Sequence, residues 1–393
     1  MSDAVVIVSA ARTPIGGLLG DLSALPAHQL GATAIKAAVE RAGITGDAVE
    51  EVLMGNCLMA GQGQAPARQA AFKGGLPRST GAVTLSKMCG SGMKAAMFAH
   101  DMLLAGTHEI MVAGGMESMT NAPYLLLKGR GGYRMGHDKV YDHMMLDGLE
   151  DAYEPGRAMG TFGEDCAAKY KFSREAQDAF AATSVQRARQ ATESGAFAAE
   201  ITPVTVKDRA GERVISIDEG PGKVKLDKIP QLRPAFKKDG TITAASSSSI
   251  NDGAAALVMM TGSTAQRLGV KPLARIVGHA THAQEPEWFT TAPVGATQKL
   301  LAKTGWKVAD VDLWEVNEAF AVVPMALMKE LGVTHDILNV NGGACALGHP
   351  IGASGARIMV TLLQALKARG GKRGIATLCI GGGEATAVAL ELV

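Results

Sequence analysis

The order of predicted strands, helices and glycine-rich loops before residue 120 occurs again after residue 270. The first half is predicted to contain strands at 5–9, 52–54 and 110–113 and helices at 29–42 and 93–104. The second half is predicted to contain strands at 274–277, 313–316, 375–379 and 385–392 and helices at 298–305 and 355–368. The spacing is also repeated, because Asn56 precedes Cys89 by 33 residues and Asn317 precedes His349 by 32. This repeat predicts an α/β fold of two related layers rather than one long sheet.

The chain between the two halves has a different character. Residues 121–247 contain a glycine-rich run, a predicted helix at 173–194 and a charged segment, which together indicate an inserted loop domain. We therefore predict three units: 1–120 plus 248–270, 121–247, and 271–393. The segment 252–260 is expected to return the chain to the first half, either as a helix or as a strand.

Charge and hydropathy exclude several classes of protein. The chain has 39 Lys and Arg against 38 Asp and Glu, so it lacks the basic excess of a nucleic-acid binder. Apolar runs such as 254–260 are far too short to cross a bilayer, and the N-terminus lacks the basic region of a signal peptide. We therefore expect a cytoplasmic protein with no nucleic-acid or membrane partner. The five cysteines contain no Cys-x-x-Cys pair, and no metal site is predicted.

Glycine is enriched, with 48 residues among 393. Most clusters, at 90–92, 114–115, 342–343, 348–355 and 381–383, stand at predicted helix starts and strand ends. We predict that they converge on one cleft around Cys89, where backbone must be accessible to a substrate. The clusters at 61–63 and 129–132 are interpreted as interface or loop turns.

Cys89 is the strongest candidate for chemistry. It directly precedes a predicted helix, where the helix dipole and free N–H groups favour a thiolate. A cysteine packed at a tight loop–helix junction is the alternative, and local sequence does not separate the two.

Three further residues occupy comparable positions in the second half. His349 is the repeat equivalent of Cys89, and a Cys–His pair is a common means of activating a thiol. Cys379 ends a strand before Gly381, whose amide could donate to an oxyanion, although a core cysteine is the alternative. Asn317 could hold a water or carbonyl, or could cap a helix.

Other cysteines and histidines are weaker candidates. Cys345 is close to His349 in sequence and could line the same pocket, and Cys57 has a similarly weak case. Cys166 is expected to be inert within a helix. The histidines that follow the Cys89 helix, His100 and His108, are predicted to be structural.

Six motifs, in order, resemble those of the thiolases, and among them the acetyl-CoA acetyltransferases. They are Arg12-Thr13-Pro14-Ile15-Gly16, Cys89-Gly90-Ser91-Gly92, Gly114-Gly115-Met116-Glu117-Ser118-Met119, Asn317-Glu318-Ala319-Phe320, Gly348-His349-Pro350-Ile351-Gly352-Ala353-Ser354-Gly355 and Cys379-Ile380-Gly381-Gly382-Gly383. The resemblance covers essentially the whole chain. It implies a thiolase-like five-layered α-β-α-β-α fold from two repeated halves, with the loop domain binding coenzyme A.

The resemblance also implies a reaction. Two acetyl-CoA would condense reversibly to acetoacetyl-CoA and CoA by a ping-pong mechanism, with the acyl group carried on Cys89 and no cofactor. His349 would activate Cys89, and Cys379 would transfer the second proton. His349 with a water on Asn317 would form one oxyanion hole, and the amides of Cys89 and Gly381 the other.

The family's substrate contacts and assembly carry over as expectations. The pantetheine channel and acyl pocket would be lined by Leu149, Met159, Ala235, Phe236, Ala244, Ser248, Ile250, Ala319 and Phe320. A homotetramer built as a dimer of dimers is implied, with residues 125–140 as the tetramer loop. Basic side chains within 223–238 could meet the phosphates of coenzyme A, or could belong to a solvated loop.

Three departures from the family pattern concern the substrate. Ala158-Met159 replaces the usual His-Met, Phe289-Thr290 replaces the common Met-Gly, and 245–249 replaces a Gly-Asn-Ala-Ser-Gly run. The chief alternative function is therefore a 3-ketoacyl-CoA thiolase for longer chains. A ketoacyl synthase is disfavoured because Cys379 stands where that group has histidine. A CoA- or lipid-binding protein without turnover would lack the catalytic residues.

Overall fold

The computed structural model describes residues 3–208 and 211–393, in which strands and helices alternate through both halves of the chain. The strands are β1 (Val5–Arg12), β2 (Gly16–Gly17), β3 (Glu51–Gly55), β4 (Gly81–Leu85), β5 (Ile110–Ser118), β6 (Tyr124–Leu125), β7 (Tyr141–Asp142), β8 (Val204–Asp208), β9 (Gly211–Ile215), β10 (Asn251–Thr261), β11 (Ala274–Ala283), β12 (Leu313–Val316), β13 (Arg373–Ile380) and β14 (Glu384–Leu392). The α-helices are α1 (Ala27–Ala42), α2 (Pro66–Lys73), α3 (Ser91–Leu104), α4 (Met159–Tyr170), α5 (Arg174–Glu193), α6 (Glu219–Lys223), α7 (Gly262–Leu268), α8 (Ala292–Thr304), α9 (Val322–Leu331), α10 (Ala344–Leu347) and α11 (Ile351–Arg369).

Strand pairing reproduces the repeat predicted from the sequence. The first half has the order β1-β10-β5-β3-β4 and the second has β11-β14-β13-β12. In the first half β4, β3 and β5 are parallel neighbours, and in the second half β12 and β13 are; the remaining pairs in each half are antiparallel. The two halves meet where β1 pairs with β11, through Val6–Arg275 and Ile7–Ala274 alone among the described residues. The two related halves are confirmed, but the expectation that they would not form one long sheet is wrong at this seam, because two residue pairs join them into one hydrogen-bonded sheet.

Packing on each side of the strands divides the molecule into five layers. Along β10, Leu257 and Met259 belong to the same core as α3 and α11, whereas Val258 and Met260 face α1 and α2. This alternation follows from the two-residue period of a strand. The other face of the second half packs on α8 and α9, with Trp314 fully buried there. Helices α3 and α11 thus lie between the two halves and bring their N-termini together.

Several element bounds differ from the sequence predictions. Strand β5 continues through Gly114 and Gly115 to Ser118, because Ala255 and Ala256 of β10 pair opposite these glycines. The segment left undecided is strand β10, which lies between β1 and β5. Helix α8 begins six residues earlier than predicted, at Ala292.

The region between the halves is tied to the first strand by buried charges. Arg12, at the end of β1, is fully buried and donates to Glu200 at 2.6 Å and to both carboxylate oxygens of Asp218 at 2.7 and 2.8 Å. Asp218 also accepts from the amide of Ile15 at 2.8 Å. These contacts give the first predicted motif a structural role, since a buried guanidinium needs paired carboxylates. The division of the chain into three units stays a prediction.

No helix among the described residues has both the length and the apolar character required to cross a membrane.

Candidate functional site

Cys89 stands on a sharp loop immediately before α3. The residue before it, Met88, has a positive φ of 46°, a conformation that costs free energy in a non-glycine residue. The Met88 carbonyl accepts hydrogen bonds from the amide of Ser91 at 3.0 Å and from its hydroxyl at 2.6 Å. Ser91 Oγ in turn accepts from the Lys87 amide at 2.8 Å. These bonds hold the strained turn, and with it the direction of the Cys89 thiol.

The glycines beside Cys89 allow neighbouring parts of the chain to pack closely against the loop. A Cβ on Gly90 would lie 2.4 Å from Ile380 Cδ1, and one on Gly92 would lie 2.8 Å from the backbone nitrogen of Ala356. The prediction that these two glycines give a substrate access to the backbone is therefore wrong, because neighbouring parts of the chain fill that space. They let α3 approach α11 and the end of β13.

Burial, rather than the helix dipole, decides the direction in which the pKa of the Cys89 thiol is shifted. Burial raises the pKa of Cys89 to about 11, while the Gly381 amide acts in the opposite direction. Cys379 is fully buried, and burial together with the nearby Cys89 raises its pKa well above the usual value. The structure therefore brings Cys89, Cys379 and Gly381 together, and both thiols are protonated at neutral pH.

His349 is buried at the start of α11 and is held by three contacts. Its Nδ1 lies 2.6 Å from Ser354 Oγ, and its amide donates to Asn251 Oδ1 at 2.9 Å. Its Nε2 lies 3.5 Å from Asn317 Nδ2. Burial, with a smaller effect from the Arg357 guanidinium, lowers the pKa of His349 to about 3. The imidazole is therefore neutral at pH 7 and can accept a proton.

Asn317 does not cap a helix. The nearest helix, α9, begins at Val322 with Ala321 as its N-cap residue. Asn317 instead directly follows β12, its amide donates to the Thr377 carbonyl at 3.1 Å, and its side chain faces His349. Its Oδ1 is buried and has no hydrogen-bond partner among the described residues. The side chain has an acceptor to spare for a water molecule.

An apolar cavity of about 250 Å³ reaches His349. It is lined by Met119, Met145, Leu149, Ala158, Met159, Gly160, Phe236, Ser247, Ser248, Ser249, Ile250, Phe320, His349 and Ile351. Cys89 packs against the small apolar cluster of Leu58, Met119 and Ile351, two members of which line the cavity, and this links the thiol to it. Predominantly apolar walls with a few polar groups are typical of a small-molecule site.

Six of the nine predicted substrate-contacting residues line this cavity, namely Leu149, Met159, Phe236, Ser248, Ile250 and Phe320. The other three lie outside it. Ala235 and Ala244 are exposed, and Ala319 is buried behind Phe320, where its carbonyl accepts from the Ser248 amide at 2.9 Å.

The remaining cysteines lie apart from the cavity lining. Cys345 is buried, and its amide donates to Glu318 Oε2 at 3.0 Å, so the prediction that it lines the pocket is wrong. Cys57 Sγ donates to the Met88 carbonyl at 3.2 Å, beside the Cys89 loop. Cys166 is fully buried within α4, as expected.

The departures from the family pattern are placed at this cavity or just behind it. Ala158 is part of the wall, where a small side chain leaves room. Phe289 is buried and packs edge-to-face on Phe320 and Phe162, at centroid distances of 6.5 and 6.1 Å. Since Phe320 is part of the wall, Phe289 supports it from behind.

Sequence reasoning missed several residues that organise the site. Ser354 was quoted only as part of a motif, although it contacts His349 directly. Glu117 is fully buried, and its carboxylate accepts from Asn56 Nδ2 at 2.7 Å and from the amides of Cys57 and Gly352, each at 2.9 Å. It thereby ties a loop of the first half to the start of α11. A buried acidic residue inside an apolar strand was the available signal.

Comparisons with known proteins agree with this geometry. The thiolase N-terminal domain model matches residues 5–263, and the thiolase C-terminal domain model matches residues 270–392. The chain is 50% identical to acetyl-CoA acetyltransferase 2 of Arabidopsis thaliana over 392 residues, covering 99% of this chain and 97% of that protein. It is 52% identical to the mitochondrial acetyl-CoA acetyltransferase B of Xenopus laevis over 389 residues, covering 98% of this chain and 91% of that protein.

A solved structure shares the fold over the whole length. The Acat5 thiolase of Ascaris suum, in complex with coenzyme A, superposes with a TM-score of 0.94 at 42% identity, covering 99% of this chain and all of that one. The five-layered arrangement around α3 and α11 is thus the thiolase fold. The matches in sequence and in fold, together with the paired halves, show that the chain belongs to the thiolase family.

Proposed function

We propose that the protein is an acetyl-CoA C-acetyltransferase, which condenses two acetyl-CoA reversibly to acetoacetyl-CoA and CoA. The observation that carries the proposal is the convergence of Cys89, Cys379 and the Gly381 amide beside an apolar cavity that reaches neutral His349. The names of the Arabidopsis and Xenopus relatives support it, as does the coenzyme A bound in the Ascaris structure. Coenzyme A thioesters are proposed as the substrates, and no other cofactor is required.

In the first half-reaction, His349 accepts the proton of Cys89 while the sulfur attacks the thioester carbonyl of acetyl-CoA. The carbon–sulfur bond of the thioester breaks and the acetyl group remains on Cys89. His349 keeps the proton of Cys89, while Cys379 gives its own proton to the departing CoA and is left as a thiolate. Because burial raises the pKa of the thiol to about 11, a neighbouring base has to take its proton for the sulfur to attack. The amides of Cys89 and Gly381 would stabilise the oxyanion on this carbonyl.

In the second half-reaction, Cys379 acts as the base. It removes an α-proton from the second acetyl-CoA, and the resulting enolate attacks the acetyl group on Cys89. The enolate oxygen would be stabilised by Nε2–H of His349, which carries the proton taken from Cys89, together with a water held on the free acceptor of Asn317. Cleavage of the bond to Cys89 releases acetoacetyl-CoA, and His349 returns its proton to the Cys89 thiolate.

The acyl-enzyme intermediate provides the decisive test. Incubation with radiolabelled acetyl-CoA should label the wild-type protein on Cys89, and Cys89→Ala should remain unlabelled. Cys166→Ala is the matched control, because Cys166 is buried away from the cavity, and it should label like the wild type. Label that persists on Cys89→Ala would exclude this mechanism.

A thiolase for longer 3-ketoacyl-CoA is the second candidate, and Ala158 in the cavity wall favours it. Thiolysis rates with acetoacetyl-CoA and with a ketoacyl-CoA of six to ten carbons separate the two. The acetyltransferase proposal predicts a kcat/KM at least about tenfold higher for acetoacetyl-CoA. A higher value for the longer chains would assign the protein to the second class.

We also infer that exposed lysines on residues 223–228 meet the phosphates of coenzyme A. Lys223 is hydrogen-bonded to Glu219, whereas Lys228 has only a looser contact of 3.8 Å with Asp227, so Lys225 and Lys228 are the better candidates. Replacing both by alanine should raise the KM for acetyl-CoA and leave kcat unchanged. An unchanged KM would assign them to a solvated loop.

A homotetramer, as a dimer of dimers, is proposed as the assembly. The pairing of β6 with β7 presents residues 126–140 as an exposed arm, which carries Leu126, Leu127 and Met135 in solvent. Exposed apolar side chains on such an arm are typical of an interface.

We propose a cytoplasmic location, in keeping with five cysteines that are all free thiols. Native mass spectrometry and cell fractionation test these two proposals.

A further inference from the structure

A group of histidine and acidic side chains lies apart from the catalytic cavity, at the other end of α3. Within residues 3–208 and 211–393, one group of three His, Cys, Asp or Glu side chains has its ligand atoms within 4.8 Å of one another: His100, Asp101 and His279. His100 and Asp101 are near the C-terminal end of α3, and His279 is on β11. The group therefore joins the first half of the molecule to the second.

The geometry directs both imidazoles at one carboxylate oxygen. His100 Nδ1 lies 3.0 Å and His279 Nε2 lies 2.9 Å from Asp101 Oδ1, and the two rings meet edge-to-face at 5.0 Å. A tetrahedral zinc ion with bonds of about 2.0–2.1 Å holds its ligand atoms roughly 3.3 Å apart. A shift of a few tenths of an ångström would separate the three ligand atoms to this distance. Asp101 can make this shift, because its side chain is 56% exposed.

The charge around the group limits what it can bind. Asp101 supplies one carboxylate, and Lys303 Nζ donates to the His279 carbonyl at 3.3 Å, which places a positive charge close by. One divalent ion bound with moderate affinity fits these surroundings.

We propose that His100 Nδ1, the Asp101 carboxylate and His279 Nε2 form a site for a divalent transition-metal ion of the zinc class. Two imidazoles and a carboxylate are ligands that zinc accepts, and the exposed side of Asp101 leaves a fourth position to water. His100 is nine residues beyond the first residue of α3, or roughly 14 Å along its axis, so the ion is remote from Cys89. Its role is to cross-link the two halves. The sequence offered no signal for this site, because 178 residues separate Asp101 from His279.

Cobalt provides the first test, because its absorption reports the ligand type. The full-length protein, with accessible thiols alkylated, is titrated with Co²⁺ and with Zn²⁺. We expect one equivalent to bind, with visible d–d bands of a tetrahedral nitrogen and oxygen site and without a thiolate charge-transfer band. Asp101→Asn and His279→Gln should each weaken binding at least about tenfold.

The matched control is His282→Gln, since His282 is on the same strand but bonds to Gln284 at 3.0 Å. It should bind Co²⁺ like the wild type. Zn²⁺ should also raise the Tm of the wild type and of His282→Gln, but not that of Asp101→Asn. Because the side chain of Asp101 is exposed, this substitution should not disturb folding, and misfolding would not account for the lost Tm increase. Equal Co²⁺ affinity in wild type and Asp101→Asn, or no binding by either, would overturn the proposal and leave a hydrogen-bonded His–Asp–His group.

Discussion

At His349, the position of one proton decides whether the ring can act as a base. Ser354 Oγ has a single hydrogen, which it donates to the Pro350 carbonyl at 3.0 Å. It must therefore accept from Nδ1 of His349 at 2.6 Å, which assigns the ring proton to Nδ1. Nε2 is left with its lone pair, facing Asn317. Ser354 is thus a positioning residue, which acts on the reaction through His349.

Replacing Ser354 by alanine removes the acceptor that selects this tautomer. We expect kcat to fall about 10- to 100-fold, with little change in the KM for acetyl-CoA, because the cavity wall is untouched. Steady-state thiolysis of acetoacetyl-CoA measures both constants. Thr361→Ala is the control, since it removes another buried hydroxyl from the same helix, and it should retain wild-type kcat. A change in KM alone would argue against a positioning role.

Helices α3 and α11 place the loops of Cys89 and His349 at the same end of the helix pair because their N-terminal turns are packed backbone against backbone. A Cβ on Gly355 would lie 2.4 Å from the nitrogen of Met93, and one on Gly92 would lie 2.8 Å from the nitrogen of Ala356. Backbone atoms cannot move aside as a flexible side chain can. The sequence predicted both helices and their equivalence in the repeat, but not this contact. It also missed the short π-helical turn Met145–Leu149, which supplies two residues of the cavity wall.

An added methyl group at Gly355 should therefore separate the helices. We expect Gly355→Ala to lower the free energy of unfolding by about 1–3 kcal/mol and to reduce activity as well. Urea denaturation measures the first effect and thiolysis the second. Gly222→Ala is the control, because a Cβ there meets open space, and it should leave stability unchanged or raise it by up to about 1 kcal/mol. Wild-type stability in Gly355→Ala would contradict the packing argument.

On the scale of the whole molecule, buried titratable groups couple folding to pH. Burial lowers the pKa of His349 to about 3 and that of the half-buried His335 to about 4. In the unfolded chain both histidines bind protons below about pH 6.5, so there the unfolded state holds more protons. Stability must then decrease as the pH falls from 6.5 toward these values, and this contribution is fully present above pH 6.5. Glu315 acts in the opposite sense, since burial raises its pKa to about 8.

The histidine contribution can be isolated by comparing variants. Between pH 7 and pH 5, His349 should cost about 2 kcal/mol of unfolding free energy, and His335 less because its ring is half exposed. His349→Asn and His335→Gln should each show a smaller loss over this range, with the larger change in His349→Asn. Urea midpoints at the two pH values measure the effect. If the wild type and His349→Asn lose the same unfolding free energy between pH 7 and pH 5, His349 binds this proton in the folded state as well.

The sequence by itself determined the two repeated halves, the family, and the residues that carry the proposed chemistry. These follow from periodicity and from short motifs such as Cys89-Gly90-Ser91-Gly92, which are local properties of the chain. Tertiary structure alone decided the seam between β1 and β11, the tautomer of His349 and the direction of the Cys89 pKa. It also decided the meeting of Asp101 with His279. These depend on burial and on contacts between distant segments, and desolvation of a group is set by everything packed around it rather than by its neighbours in sequence.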